Sequence, residues 1–398
     1  MPRPVPSPSL AAPRRAFAGL GASLAAGLLL GLAACAPQPP RPSFVGIAPP
    51  IGGAPAPVAQ PARAAMLLPL TGPQAPLGQA MLNAGYMALF DEAPGGVEFA
   101  PRDTGGTPQG AQAAARAAIA DGARVLIGPL TSGEAAMVIP AARAAGVPVL
   151  AFTNDAQRAG DGAWVLGTTP QQQVRRVVAA AAQGGAQRFA LAAPDTEFGR
   201  ALAVALRGAT SDLGLPVPAI ALHPSNADPA MAAGAARGAA GAVDALLIGE
   251  SGERARRFAA GWLADTPEGQ PPARLLGTAL WLNDPALRSE GALGGAWFPG
   301  PDGAARARFE ARYRDAFRET PPRIAAAAYD AAALAARALR SGTPVEGVTA
   351  VQPFAGADGP VRLLPGGQTL RGLAIYALSP GGDPVIVEAA PAPGGAGF

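Results

Sequence analysis

Two side chains with useful chemistry occur once each in the chain, Cys35 and His223. A Ser/His/Asp triad needs a histidine, but Pro224 follows His223 directly and no nucleophile motif lies nearby, which favours a surface or strand-end histidine. One cysteine forms no internal disulfide, and one cysteine with one histidine is too few for zinc or iron ligation. No phosphate loop or dinucleotide fingerprint is present. The sequence therefore predicts no catalytic residues, no metal and no cofactor.

Polar residues follow several apolar runs at the point where each run ends. Thr131-Ser132 stands between a predicted strand and a predicted helix, where hydroxyls and free backbone N–H groups can hold a carboxylate. The alternative is that Ser132 only caps that helix. Thr71 follows the first predicted strand in the same way, and Thr153 with Asn154 either completes a polar rim or forms a turn. These five residues are candidates for ligand binding.

Four residues farther along the chain are the opposing candidates. Asp195, Phe198 and Glu250 follow later apolar runs, and Trp281 either walls a cleft or fills a core. Two halves that each place polar residues after their strands predict a cleft between two lobes, because parallel sheets bind ligands at the carboxyl ends of their strands.

The charge pattern argues against a nucleic-acid partner. All 31 basic residues are arginines, and the formal net charge of +3 is accounted for by three arginines in the first 35 residues. Further arginines cluster on predicted helices with acids interspersed, which is typical of solvated faces; a docking surface for a partner protein is the alternative. These clusters are Arg175-Arg176, Arg254–Arg257 and Arg306–Arg314.

The N-terminal segment has the layout of a secretory signal, with a basic start, the apolar run 16–34 and small residues before Cys35. Its ending, Leu32-Ala33-Ala34-Cys35, resembles the lipobox of bacterial lipoproteins. That resemblance implies that the Cys35 thiol receives a diacylglyceryl group and becomes the first residue of the mature chain. An uncleaved membrane anchor and a chance cysteine are the alternatives. We expect residues 1–35 to be a lipoprotein signal peptide.

The rest of the chain divides by composition. Residues 36–61 carry nine prolines and predict a Pro-rich disordered linker, and residues 391–398 predict a disordered tail. Between them, short apolar runs alternate with Ala-rich stretches of helical length, which predicts an α/β fold with mostly parallel sheets covered by helices. The pattern restarts once, which favours two lobes, about 62–166 with 299–345 and about 167–298 with 346–390. The last runs, near 372–378 and 384–387, are typical of antiparallel or edge strands.

Several segments resemble type I periplasmic binding proteins of the leucine-binding kind. They are AMLLPLTGPQAPLGQA (65–80), DTGGTPQGA (103–111), IGPLTSGE (127–134), VPVLAFTND (147–155), PDTEFGR (194–200) and AAYDAA (327–332). The resemblance covers about 62–390. It implies two lobes hinged by crossovers near Gly167 and Gly295, with an aromatic wall and an acid for a ligand's α-ammonium at positions such as Phe198 and Glu250. A tyrosine is commoner than phenylalanine at the position of Phe198.

Three details are more similar to the penicillin-binding-protein activator lipoproteins. They are MLLPLTG (66–72), LFD (89–91) and the pair FTND (152–155) with GTALW (277–281). This resemblance implies an outer-membrane lipoprotein that contacts a class A penicillin-binding protein, a peptidoglycan synthase, with the membrane reached only through the lipid. Residues Ala36 and Pro37 follow Cys35, where an aspartate would favour the inner membrane. The alternative is a solute receptor of an ABC importer for branched-chain amino acids or related small ligands.

Overall fold

The computed structural model describes residues 62–92, 96–160, 162–266, 271–288, 291–350, 354–381 and 383–392. The expected signal peptide with Cys35, the expected linker 36–61 and residues 393–398 of the expected tail lie outside these ranges. Among the described residues, no helix is both long and apolar enough to cross a membrane.

The described chain begins with the alternation of strands and helices that the sequence predicts. The elements are β1 (Ala62–Leu68), α1 (Ala75–Glu92), β2 (Val97–Asp103), α2 (Pro108–Ala120), β3 (Val125–Ile127), α3 (Ser132–Ala144), β4 (Val149–Ala151) and β5 (Ala163–Val165). The five strands pair in parallel in the order β2-β1-β3-β4-β5. In β1, Met66 and Leu68 join one apolar cluster while Ala65 and Leu67 join another. Both faces of this sheet are therefore buried, as in doubly covered parallel sheets.

A second lobe repeats the pattern. Its elements are α4 (Pro170–Gln183), β6 (Phe189–Pro194), α5 (Glu197–Asp212), β7 (Ala219–His223), α6 (Pro229–Ala240), β8 (Ala245–Ile248), α7 (Gly252–Ala264), β9 (Arg274–Leu276) and β10 (Trp297–Gly300). These five strands also pair in parallel. The predicted α/β class with two covered sheets is confirmed.

Threonine caps explain where several of these helices begin. The side chains of Thr107, Thr131, Thr169 and Thr196 each accept a hydrogen bond from a backbone N–H in the first turn of α2, α3, α4 and α5. Such caps satisfy N–H groups that have no partner inside the helix. Because each cap directly follows a strand–loop segment, the helix starts are fixed close to the carboxyl ends of the strands.

The chain then returns to the first lobe through α8 (Gly303–Phe317), α9 (Ala325–Arg340), α10 (Pro344–Ala350), β11 (Phe354–Gly356), β12 (Gly359–Leu363) and β13 (Thr369–Arg371). Strands β11–β13 form a separate antiparallel sheet. Phe354, Val361 and Leu363 of this sheet belong to the apolar cluster of the first lobe. The assignment of residues 346–371 to the second lobe was therefore wrong. Asp330 in α9 fixes the segment, because its carboxylate accepts the backbone N–H of Ala357 at 2.7 Å.

Two last strands, β14 (Ala374–Ala377) and β15 (Val385–Glu388), complete the second lobe. They are antiparallel, as predicted, and extend its sheet to the order β15-β14-β10-β9-β8-β6-β7. The chain thus crosses between lobes after β5, after β10 and after β13. Gly167 lies at the first crossing as expected, where a Cβ would stand 2.6 Å from the Thr153 carbonyl oxygen. Gly295 does not lie at a crossing, since its N–H bonds to Leu378 within the second lobe.

Candidate functional site

A cavity of about 530 Å³ lies between the two lobes. On the first-lobe side it is lined by residues that follow β3, β4 and β5, and on the second-lobe side by the starts of α4 and α5 and by the segment after β9. The lining residues are Leu130, Thr131, Ser132, Phe152, Thr153, Asn154, Leu166, Gly167, Thr168, Gln173, Phe198, Ala279, Leu280, Arg323, Ile324, Ala327, Asp358 and Arg371. This volume is within the usual range for small-molecule sites.

The start of α3 brings Thr131 and Ser132 into the cleft, but with roles other than those predicted. Thr131 is the cap of the helix and forms a reciprocal capping box with Glu134. Ser132 is the first helical residue, so the alternative that it caps the helix was wrong. Its hydroxyl donates to Asp155 Oδ2 at 2.5 Å and accepts from Arg158 Nε at 3.0 Å. Ser132 therefore presents a hydroxyl that is already hydrogen-bonded within the protein.

Thr153 and Asn154 also line the cleft. The two alternatives for these residues are compatible, because they lie at the rim of the cleft and also form a turn. The buried Thr153 hydroxyl accepts the backbone N–H of Asp155 at 3.0 Å, which is a local turn contact, while the Asn154 side chain is exposed. Burial would raise the pKa of Asp155, but the Ser132 hydroxyl, the Gln157 N–H and Arg158 together hold it below its usual value. Asp155 is therefore a carboxylate at neutral pH, bonded to the start of α3.

Thr71 does not line this cavity. Its hydroxyl donates to Asp103 Oδ2 at 2.6 Å, and the backbone N–H groups of Leu70 and Gly105 donate to the same carboxylate. The Thr71 hydroxyl is the main reason that the pKa of Asp103 lies below its ordinary value. Thr71 thus fastens the loop after β1 to the loop after β2.

The second-lobe candidates separate into one cleft residue and three others. Phe198 lines the cavity. Asp195 is exposed and pairs with Arg200 at 2.5 Å. Glu250 is buried, and Arg254 donates to both of its carboxylate oxygens at 3.0 and 2.7 Å. Neither acid lines the cavity.

Trp281 lies in the core of the second lobe, with no exposed surface, and is one of the residues of its apolar cluster. Its indole N–H donates to the Glu250 carbonyl oxygen at 2.9 Å. The core interpretation of this residue is therefore the correct one of the two alternatives. Trp281 also sits against Gly277, where any Cβ would clash with the indole ring at 2.3 Å.

Five polar cleft residues were not singled out from the sequence, namely Thr168, Gln173, Arg323, Asp358 and Arg371. Buried Gln173 accepts the Ala279 N–H and donates to the Thr168 carbonyl, joining two segments of the second lobe. Asp358 pairs with Arg306 at 3.0 Å. Arg323 and Arg371 supply two cations. No motif marks Arg323, Asp358 or Arg371, because these residues reach the cleft only through the return of the chain to the first lobe. Thr168 and Gln173 lie at the first crossing and at the start of α4.

Arg323 connects the two lobes directly. It precedes α9 in the first lobe, and its Nη1 donates to the Ala279 carbonyl oxygen of the second lobe at 3.2 Å. Among the described residues it has no carboxylate partner. A guanidinium carries five N–H donors, so this one bond leaves most of them available.

Arg371 belongs to a buried network beside the cleft. Its Nη1 lies 3.3 Å from Asp330 Oδ2, and its Nη2 donates to the Leu166 carbonyl oxygen at 3.1 Å. Leu166 and Arg371 precede two of the three crossings, so the network ties them together. Burial raises the pKa of Asp330 to about 7, although Arg371 and the Ala357 N–H act in the opposite direction.

His223 packs against neighbouring side chains of the second lobe. Its ring stacks on Phe258 with centroids 6.2 Å apart, and its Nε2 lies 3.7 Å from Glu250 Oε1. Within the described ranges, no group of three or more His, Cys, Asp or Glu side chains is arranged to hold a metal ion.

Comparisons with known proteins agree with this architecture. A family profile described as periplasmic binding protein matches residues 61–386, whereas a sequence comparison with curated proteins finds no match. A putative branched-chain amino acid ABC transporter protein from Rhodospirillum rubrum has a TM-score of 0.69 and 19% identity, with 82% of this chain and 100% of that chain covered. LivJ from Streptococcus pneumoniae, solved with isoleucine, has a TM-score of 0.57 and 17% identity, with 83% and 100% covered.

Full-length LpoA from Haemophilus influenzae is also similar in structure. Its TM-score is 0.65 and its identity 16%, with 83% of this chain and 59% of that chain covered. At these identities the likenesses establish the fold alone.

Proposed function

We propose, since the chain belongs to the periplasmic binding protein family, that it is an envelope lipoprotein that activates a peptidoglycan synthase by protein contact. The partner is a class A penicillin-binding protein. In this proposal the two-lobed domain acts through its surface and does not deliver an amino acid to a permease.

The observation that carries this proposal is that the acidic side chains around the cleft are already bonded to arginines. An amino-acid receptor needs a carboxylate for the ligand's α-ammonium. Glu250, the expected acid, is buried outside the cavity and bonded to Arg254, and Asp358 at the cavity is bonded to Arg306. Phe198 lacks the hydroxyl that a tyrosine would offer. The described lining therefore offers no unpaired carboxylate to an ammonium group, whose uncompensated burial is costly.

The segment LFD (89–91) supports a docking role. Its aspartate, Asp91, accepts from Arg312 of α8 at 2.6 Å and from the Tyr329 hydroxyl of α9 at 2.6 Å, which fastens the end of α1 to both helices. Phe90 is left 78% exposed on this rigid base. Aromatic side chains held in place on a surface are frequent anchors of protein interfaces. The structural likeness to LpoA is compatible with this role.

We further propose that Cys35 carries the lipid anchor and that residues 36–61 act as a spacer between the membrane and the folded domain. Because Ala36 and Pro37 follow the cysteine, we place the anchor in the outer membrane of a two-membrane envelope, with the domain in the periplasm.

The proposal is tested by glycan polymerisation and peptide crosslinking with a purified class A synthase. We expect the full chain to co-purify with the synthase and to stimulate it. Phe90→Ala should abolish most of the stimulation and leave circular dichroism and melting unchanged. Val217→Ala is the matched control, since Val217 is 89% exposed on the second lobe. Unchanged synthase activity with the wild-type chain, or equal effects of the two substitutions, would count against the proposal.

A solute receptor is the second candidate, favoured by the cavity of about 530 Å³ between the lobes. Several similar structures are named as ABC transporter substrate-binding or leucine-binding proteins. Calorimetric titration with a panel of branched-chain amino acids separates the candidates. Micromolar binding of leucine or isoleucine would favour the receptor, whereas no heat change across the panel would favour the activator.

A further inference from the structure

We infer that the interlobe cavity binds a small organic acid with an apolar body and no amino group, and that Arg323 is the residue that holds its carboxylate. This inference does not depend on contact with a synthase, because it concerns only the lining of the cavity. It assigns the cavity a ligand class that differs from an amino acid.

The charges around the cavity leave one cation uncompensated. Of the lining residues, Arg371 lies 3.3 Å from Asp330 and Asp358 lies 3.0 Å from Arg306. Arg323 forms no ion pair among the described residues, and Asp358, the acid that acts on it, is itself bonded to Arg306. Arg323, Arg371 and Asp358 together give the lining one net positive charge, which favours an anionic ligand.

Two further hydrogen-bond donors belong to residues that line the same cavity. Arg371 is only 5% exposed, and its buried Nε has no hydrogen-bond partner in the part of the chain that is described. The backbone N–H of Ser132 is the first of α3 and has no partner inside the helix. Buried donors without acceptors are costly, and a carboxylate supplies several acceptor sites at once.

The remainder of the lining fits an apolar body. Phe152 and Ile324 of the first lobe and Phe198 and Leu280 of the second lobe are among the residues that line the cavity. Branched aliphatic or aromatic acids combine such a body with one carboxylate.

Arg323 is placed so that a ligand bound to it is connected to both lobes. Its single hydrogen bond already reaches the Ala279 carbonyl oxygen of the second lobe. A carboxylate bound to the remaining N–H groups would therefore be held by a residue that contacts both lobes. Loss of this cation should weaken binding without disturbing either core, because Arg323 is exposed and belongs to neither apolar cluster.

Calorimetric titration of the full chain with three matched probes tests the inference. The probes are 4-methylpentanoate, leucine, which adds the α-amino group to that skeleton, and 3-methylbutylamine, which has the amine and lacks the carboxylate. We expect 4-methylpentanoate to bind at least about tenfold more tightly than leucine, because the ammonium finds no unpaired acid, and the amine to give no heat. Equal or tighter binding of leucine, or no binding of 4-methylpentanoate at millimolar concentration, would overturn the inference.

Substitutions then test the role of Arg323. Arg323→Gln should weaken 4-methylpentanoate binding by about ten- to a hundredfold, the usual effect of losing a charge-assisted hydrogen bond. Arg323→Lys should recover part of the affinity, because it restores the charge. Arg308→Gln, an exposed position on α8 away from the cavity, is the matched control and should bind as the wild type does. Unaltered binding by Arg323→Gln, with an unchanged melting curve, would assign the carboxylate to another residue and overturn the role of Arg323.

Discussion

Replacement of Asp330 by asparagine should remove a pH dependence from the stability of this fold. Asp330 is fully buried in α9, between Arg371 and the Ala357 N–H, and burial raises the pKa of its carboxyl group from 3.8 to about 7. Asparagine keeps the size of the side chain and an oxygen for the Ala357 N–H, but it cannot release a proton.

The sign and size of the effect follow from linkage. Because the folded-state pKa lies above the unfolded one, the folded protein binds the proton more tightly, and stability falls as the pH rises. The difference of about three units corresponds to roughly 4 kcal/mol, at about 1.36 kcal/mol for each unit. This contribution is complete below about pH 4 and is lost between about pH 4 and pH 7. Between pH 5 and pH 8 the wild type should lose about 3 kcal/mol through Asp330.

Urea unfolding at several pH values between 5 and 8 measures this difference. The wild-type free energy of unfolding should fall across the range, and that of Asp330→Asn should stay nearly level. The two proteins are compared by the pH dependence of this free energy and not by its absolute value, because the substitution also removes the partner of Arg371. Asp315→Asn, an exposed change on α8, should retain the wild-type slope. The reasoning is refuted if Asp330→Asn falls as steeply as the wild type, or if the wild type shows no slope.

Three further predictions concern the anchor, α3 and α5. Cys35→Ser should move the protein from the membrane fraction to the soluble fraction or leave an uncleaved precursor, and membrane retention of a cleaved variant would argue against lipidation. Ser132→Ala should lower the free energy of unfolding at pH 7 by about 1 kcal/mol, and this loss should shrink as the pH falls through the lowered pKa of Asp155, because the hydroxyl stabilises the charged form of that carboxyl group; urea unfolding at pH 7 and at a series of acidic pH values checks this, and an equal loss at every pH would contradict it. Gly199→Ala should cost about 1–3 kcal/mol in the same assay, because its Cβ would stand 2.0 Å from the Pro194 carbonyl oxygen, and a neutral result would contradict that close approach.

The parallel parts of the fold were predictable because their signals are local. Strands such as Phe189–Pro194 are continuous apolar runs, and the helices after them begin at threonine caps. The apolar pattern and the capping residues therefore indicate the same boundaries. The small sheet β11–β13 was not predicted, since its strands are three to five residues long and two of them contain glycine. Its place in the first lobe depends on Asp330, whose partners lie 27 and 41 positions away. Contacts of that separation leave no periodic trace in a sequence.

The candidate site shows the same division between local and distant information. The residues after β3 and β4 were found, because a parallel sheet brings the ends of neighbouring strands together. The role of each side chain was harder to predict, as Ser132 and Glu250 illustrate. Both have the residue type that an amino-acid site would use, yet Asp155 and Arg254 already occupy their polar atoms.

These internal partners decide what the cleft can recognise. A carboxylate that is bonded to an arginine presents little charge to a ligand, whereas a cation without an acid partner presents nearly all of it. In this cleft the acids are paired and Arg323 forms no ion pair, so the cleft keeps donors for a carboxylate and lacks the free acid that an α-ammonium group needs. Because that difference depends on which charges are paired in the folded chain, sequence resemblance to amino-acid receptors does not carry their specificity to this protein. The comparison of 4-methylpentanoate with leucine measures the difference directly, since the two probes differ in the amino group alone.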